Sequence, residues 1–516
     1  MYPGTEIMRP GSDGLRTHGS RSHGVLIPRP SNEQSDPLNW SNYWKRIVCA
    51  NQALYVLFPT MASLSIAPLT PVFEAEFQQS ENTVSLYTGV TLLVLGFANF
   101  LIVPISNLYG RRTAALLTCL VVIASCIWQA TARSSGSFFG ARVLNGVGVA
   151  SNETIMVQVI ADMFFLHERG YWMGVYFTMY FSGLFIGPII AGNMAATVGW
   201  RSFFWLCMGL ACLNFLLLLF LFPETRFNRS QLSGITNTDR DTSLETNLDA
   251  QSSREKCTNV AYERVSNGRP SKNQFRLWQR PSGKYSIIVK DIYIPFLLFA
   301  FPIVFWAAGT VSSAACVLLV TNLTESRNFA APPYNFSTSL IGFTNFAMLF
   351  GGIIAICTAG PFSDWVAKRA TLRNNGIREP EMRLPALIPF FVILILWAVV
   401  QGLGYDQKWH WEAIVIFAYV CVGIVCIGIP TIATAYAVDC YKPISGEILV
   451  SITIIKNTWG FGLSFWVYKV SLLQDVFIIF AFIAFTTALA LPMYFWGKTF
   501  RRWTRQSKVH TMERDL

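Results

Sequence analysis

Charge is scarce in this chain: Asp, Glu, Lys and Arg make up 13% of its 516 residues, about half the roughly 25% of a soluble globular protein. That deficit argues against a water-soluble fold. Histidine is scarcer still. His18, His23, His167, His410 and His510 all lie outside the apolar runs, so a histidine proton relay or a histidine metal cluster inside a membrane has no ligands to build from. The eleven cysteines show no metal-ligand spacing, and all but Cys257 fall in or beside apolar runs. They read as small buried hydrophobes, and neither a disulfide framework nor a cofactor is expected. The first 45 residues are rich in Gly, Ser, Pro and Arg without an apolar run, so no cleavable signal peptide is expected.

What the chain has in abundance is apolar surface, at 53% of residues. At roughly 20 apolar residues per crossing, twelve crossings consume about 240 residues. Runs of that length occur at 47–69, 84–108, 114–132, 138–163, 171–198 and 202–222, and again at 294–321, 339–358, 384–403, 413–438, 449–470 and 476–495. Between the two sets of six the sequence turns rich in Ser, Asn, Thr, Arg and Gln. The predicted organisation is a disordered tail (1–45), a six-span bundle (46–222), a disordered linker (223–290), a second six-span bundle (291–497) and a basic tail (498–516). The fold class expected is all-α and polytopic.

The formal net charge of +11 points to nucleic acid in a soluble protein, but here its placement decides. With the N-terminus inside, the inner loops and flanks carry 16 Lys or Arg residues and the outer loops carry 5, so tails and linker are predicted cytoplasmic and no nucleic-acid partner is expected. Two glycosylation sequons, at Asn322 and Asn335, fall in the predicted outer loop between the seventh and eighth runs, as that orientation allows.

An internal repeat organises the rest. V103-P-I-S-N-L-Y-G-R-R112 closes the second run of the first set, and G360-P-F-S-D-W-V-A-K-R369 closes the second run of the second set. Pro, Ser and Arg recur in register. Two related bundles in parallel can rock about a shared midplane site.

These residues give the chain a resemblance to the major facilitator superfamily, and more narrowly to the fungal twelve-span drug:proton antiporters, over roughly residues 36–500. The family's loop motif Gly-x-x-x-Asp-Arg-x-Gly-Arg-Arg is matched by Gly110, Arg111 and Arg112, whereas Val103, Asn107 and Leu108 stand where the family often has Gly, Asp and Arg. The second half retains Gly360 and Asp364. A141-R-V-L-N-G-V-G148 is similar to the family's Arg-x-x-x-Gly pattern, and G183-L-F-I-G-P-I-I-A-G192 resembles its antiporter motif Gly-x-x-x-Gly-Pro. D36-P-L-N-W40 and N374-N-G-I-R-E-P-E-M-R-L384 resemble fungal members. The resemblance implies two six-helix bundles related by a pseudo-two-fold axis and a transporter as the activity.

Each motif also has its own physical reading. Gly110 permits a tight turn. Arg111 and Arg112 either anchor the loop on the inner face or form a latch, with Asp162 as partner. Gly183, Gly187 and Pro188 allow close helix approach and a kink, as ordinary packing or as a sliding surface between the halves.

Charges at membrane depth cost roughly 2.5–3.5 kcal/mol on insertion scales and so face a cavity or a partner. The clearest are Arg142, Glu153 and Lys456. On an unbroken helix, Arg142 and Glu153 share one face about 16 Å apart, with Asn145 between them, as a polar path. Glu153 is read as a proton-sensitive or cation-sensing group, or as half of a static ion pair with Lys456; Lys456 and Asn457 could also hold an anionic substrate group. Tyr176, Tyr180, Trp306, Thr310, Tyr419, Tyr436 and Trp459 are cavity candidates, of which a minority is expected to touch substrate. The function expected is proton-coupled export of small organic compounds such as drugs, toxins or secondary metabolites, by a monomer in the plasma membrane. Uptake of organic cations such as polyamines is the alternative, and a non-transporting sensor is the alternative of another class.

Overall fold

The computed structural model describes residues 6–7, 31, 33, 35–227, 268–278, 286–441, 445–467, 469 and 471–504. Among them, eleven helices are long and apolar enough to cross a membrane. A hydrocarbon phase offers backbone groups no partners, so each crossing must satisfy its own hydrogen bonds as a helix.

The first half consists of α1 (Asn42–Leu64), the short α2 (Thr70–Phe77), α3 (Glu81–Tyr109), α4 (Arg111–Thr131), α5 (Ser135–Val149), α6 (Ile155–Met163), α7 (Leu166–Thr197) and α8 (Trp200–Leu221). The second consists of α9 (Ser286–Leu298), α10 (Pro302–Ala330), α11 (Thr338–Arg373), α12 (Ile388–Asp406), α13 (Val420–Cys440, led by a π-helical turn at Ile414–Tyr419), α14 (Ser445–Trp466), α15 (Leu472–Ala488) and α16 (Ala490–Thr504). Serines start many of them: Ser41, Ser134, Ser337 and Ser471 each accept a backbone N–H of the first turn, a cap worth about 1 kcal/mol.

Each half packs around its own apolar core. The halves meet along two symmetric seams, α3 against α14 and α7 against α11. Small residues let backbones close in: a Cβ on Gly342 would lie 2.9 Å from the Pro188 carbonyl oxygen. Leu64, Phe181, Leu184 and Phe185 of the first half are buried in the core of the second.

Five features differ from the sequence expectation. The run at 138–163 is not one helix: α5 ends at Val149, a 3-10 turn covers Ala150–Glu153, and α6 resumes at Ile155. Polar neighbours hold the break open, with Asn152 Nδ2 donating to the Val56 carbonyl at 3.3 Å and Thr154 Oγ1 to Asn99 Oδ1 at 3.2 Å. The run at 294–321 is interrupted after Leu298 and then continues to Ala330, which places Asn322 inside a helix at 2% exposure. That sequon is therefore not in an outer loop, whereas Asn335 is exposed between α10 and α11. The eighth run extends to Arg373, because Ala367 stands where the first half has the helix-ending Gly110. Parts of 223–290 pack on the first half: Glu224 donates its N–H to the Gln274 carbonyl at 2.9 Å, and Gln274 Nε2 reaches the Ser35 carbonyl at 2.8 Å. Glu6–Ile7 also pairs with Ile377–Arg378 as a two-residue antiparallel ladder. Residues 228–267 and 505–516, most of the predicted linker and basic tail, lie outside the described residues.

Candidate functional site

The break in the fourth run sets the site. Four residues advancing at the 3-10 pitch turn roughly 80° further than in an α-helix, so Glu153 leaves the face that carries Arg142. It points across the seam to the second half. Lys456 Nζ on α14 lies 2.6 Å from Glu153 Oε1, Asn457 Nδ2 donates to Oε2 at 3.3 Å, and the Tyr180 hydroxyl donates to Oε1 at 2.6 Å. The Lys456 ammonium also sits 5.5 Å from the Tyr180 ring centre, within cation–π range. The Tyr176 ring lies beside that of Tyr180, tilted by 37° at 6.1 Å between centres. The Glu153 side chain is 3% exposed and that of Lys456 is 19%, so Lys456 is the more accessible side of the pair.

Arg142 takes no part in this cluster. It is fully buried and donates to backbone carbonyls: Nε to Tyr87 at 3.0 Å, Nη1 to Ala62 at 2.8 Å, and Nη2 to Ser63. Asn145 Nδ2 binds Ser125 Oγ at 3.1 Å. Both side chains tie α5 to its neighbours within the first half, and the expected polar stripe from Arg142 through Asn145 to Glu153 does not form.

Of the seven cavity candidates, Tyr176 and Tyr180 converge on Glu153. Trp306 donates to the Thr486 carbonyl at 2.8 Å and packs edge-on against Tyr436 at 5.6 Å, while Thr310 bonds back to the Trp306 carbonyl. These three pack within the second half. Tyr419 lies in the same core, its hydroxyl 3.1 Å from that of Tyr405. Trp459 faces outward, stacked on Phe482 at 4.5 Å, and lines a lateral apolar pocket of about 400 Å³ with Cys316, Thr458 and Phe482.

At the end of the bundle where α3 meets α4, the loop motif folds as a clamp. Gly110 has φ +106°, and a Cβ there would collide with the Glu224 carboxylate. Glu224 fills that space and accepts the N–H groups of Arg111 at 2.9 Å and Arg112 at 3.2 Å, capping α4 from another element. Arg111 Nε pairs with Asp162 Oδ2 at 3.0 Å, and the Arg112 guanidinium collects the carbonyls of Leu218, Leu219 and Phe222. All of these contacts stay within the first half. The link between halves runs through Asn107, which accepts from Arg111 at 3.3 Å and donates to Asp291 Oδ2 on α9 at 2.6 Å.

In the second half, Arg383 joins Asp364 at 2.8 Å to Asp439 at 2.9 Å, and Arg501 forms a two-pronged pair with Glu381 at 2.9 and 2.8 Å. Gly360 lies mid-helix with nothing within 4 Å of its would-be Cβ; it makes no turn. Gly183 and Gly187 admit the α1 backbone at Leu57 and Met61, and so pack within the first half, while Gly192 further along α7 meets α11. Sequence reasoning missed Glu224, Asp291, Glu381 and Glu325. The one signal for Glu224 was its position just after an apolar run and opposite paired arginines.

The sequence profile of the Major Facilitator Superfamily matches residues 53–465. An uncharacterized MFS-type transporter of Schizosaccharomyces pombe is 26% identical, covering 93% of this chain and 88% of that protein. Protein HOL1 of Saccharomyces cerevisiae is 26% identical, covering 93% and 91%, and Multidrug transporter AQR1 of Candida glabrata is 23% identical, covering 73% and 63%. Among solved structures, the human organic anion transporter MFSD10 (TETRAN) superimposes with a TM-score of 0.50 at 13% identity, over 86% of this chain and 99% of that one. With two helical bundles, symmetric seams and a profile match over most of its length, the chain is a transporter that belongs to the Major Facilitator Superfamily.

Proposed function

We propose that this transporter exports small organic compounds, organic cations foremost, in exchange for protons by alternating access between its halves. The observation that carries the reading is the Glu153–Lys456 pair across the seam at 2.6 Å, with the Tyr180 hydroxyl and ring around the same charges. The Lys456 ammonium behaves as a built-in stand-in for a substrate ammonium, which would find a carboxylate, a hydroxyl and an aromatic face in the same place. A proton and a cationic substrate then compete for one carboxylate. Either neutralises Glu153 and releases Lys456, and their mutual exclusion makes the exchange an antiport.

The excess of Lys and Arg in the loops on the side of the termini supports a cytoplasmic position for both ends, and we place the protein in the plasma membrane. The name of the similar Multidrug transporter AQR1 fits this reading. The test is flux in proteoliposomes under an imposed pH gradient with a panel of organic cations. Loss of cation from the non-acidic compartment, driven by acid on the other side, supports export by exchange. Accumulation together with protons supports uptake of organic cations instead, and no flux of any cation leaves a sensor.

A further inference from the structure

Far from the midplane pair, near the end of α10 opposite the Gly110 loop, a second carboxyl group is enclosed in the core of the second half. Glu325 has 0% exposure. Its side-chain partner is a neutral amide, Asn345 Nδ2 on α11, at 3.4 Å from Oε1 and 3.2 Å from Oε2. Tyr405 on α12 and Tyr419 in the π-helical turn lie within electrostatic reach of the carboxyl, their hydroxyls 3.1 Å from each other.

The charged groups around it are otherwise engaged. Arg327, two residues on, reaches Glu81 of α3 at 3.7 Å and lies near Asp475 of α15. In the loop after α12, His410 lies 3.5 Å from Glu412. Among the described residues, the side-chain atoms Asn322 Nδ2 and Oδ1, Ser326 Oγ and Asn345 Oδ1, which share this region of α10 and α11, are buried without a hydrogen-bond partner. The region is therefore rich in groups able to solvate a neutral acid, and among the described residues no cation pairs with Glu325.

We infer that Glu325 is a second proton-binding site, occupied by a proton in this arrangement. A carboxylate in this place would have no counter-charge, whereas the acid can donate its O–H to the open Asn345 oxygen and accept the amide N–H in return. The inference is independent of substrate and direction of transport.

The test is infrared difference spectroscopy of the purified full-length protein at neutral pH. The wild type is expected to show the carbonyl stretch of a protonated carboxylic acid. That band should be lost in Glu325→Gln, shifted in Asn345→Ala, and retained in Glu153→Gln, which separates this site from the midplane pair. A carbonyl stretch that is absent from the wild type, or that both Glu325→Gln and Asn345→Ala leave in place, overturns the inference. Asn345→Ala in a folded protein keeps the question open to test even if Glu325→Gln does not fold.

Discussion

The carboxylate of Glu153 and the ammonium of Lys456 meet at 2.6 Å across the seam between the two bundles, although 303 residues separate them in the chain. Tyr180 and Asn457 complete the contact from either side. The pair therefore does two things at once. It neutralises two charges at membrane depth, and it ties together the two bodies that must part for transport.

Glu153→Gln is expected to keep the Tyr180 contact and to lose transport driven by a pH gradient, with the protein still folded and at the membrane. Removing one partner of a buried pair costs about 3–5 kcal/mol, because the other charge is stranded. Lys456→Met on top of Glu153→Gln should therefore recover thermal stability without recovering transport. Transport in Glu153→Gln that is unchanged across pH removes Glu153 from the mechanism.

Arg142→Ala is expected to lower the melting temperature of the purified protein more than it lowers turnover per folded molecule. The guanidinium serves carbonyls of Tyr87, Ala62 and Ser63, and hydrogen bonds from a charged group are worth about 1.5–3 kcal/mol each. An unchanged melting temperature with lost transport would return Arg142 to the substrate path.

Gly110→Ala should be destabilising, both because φ +106° suits glycine and because the new methyl group meets Glu224. The backbone term alone is about 1–3 kcal/mol. Glu224→Ala removes the cap of α4 and should cost roughly 1–2 kcal/mol. The double variant should be less damaged than the sum, since the collision is gone, and a thermal-melt cycle reads this directly. Strict additivity would contradict the packed arrangement.

Asn107→Asp sets two carboxylates 2.6 Å apart, because its partner is Asp291 of the other half. The expected outcome is loosening of that end of the seam, measured as faster labelling of a cysteine placed at Leu449, which packs there against the first-half core. Equal labelling rates in the two proteins would show that the contact carries no weight.

Much of the architecture was legible in the sequence because a bilayer imposes a simple rule on length and composition. All twelve runs follow from apolar content, and eleven of them are helices long and apolar enough to cross a membrane among the described residues, while the parallel repeat follows from the paired motifs at 103–112 and 360–369. The break in the fourth run was not legible, since a 3-10 turn of four residues leaves the apolar content of a run almost unchanged while rotating everything beyond it. That rotation is the reason Glu153 and Arg142 part company. Glu153 and Lys456 stood out singly as charges in apolar runs, but their proximity depends on how two bundles dock. Glu325 was hidden for a different reason: it lies beyond the apolar stretch of its helix and reads as a loop residue until α10 is seen to continue to Ala330. Asn107 and Asp291 are each ordinary alone, and only their contact across the seam gives them meaning.

The central claim is that neutralising Glu153 frees the two halves to separate at the end opposite the Gly110 loop. Spin labels at Ser80 and Ala331, exposed on that end of the first and second halves, report the gap between them by double electron–electron resonance. The account predicts that acid shifts the wild-type distance distribution toward longer values and that Glu153→Gln shows the acid-like distribution already at neutral pH. A wild-type distribution that ignores pH, or a Glu153→Gln distribution that matches the neutral wild type, would contradict it.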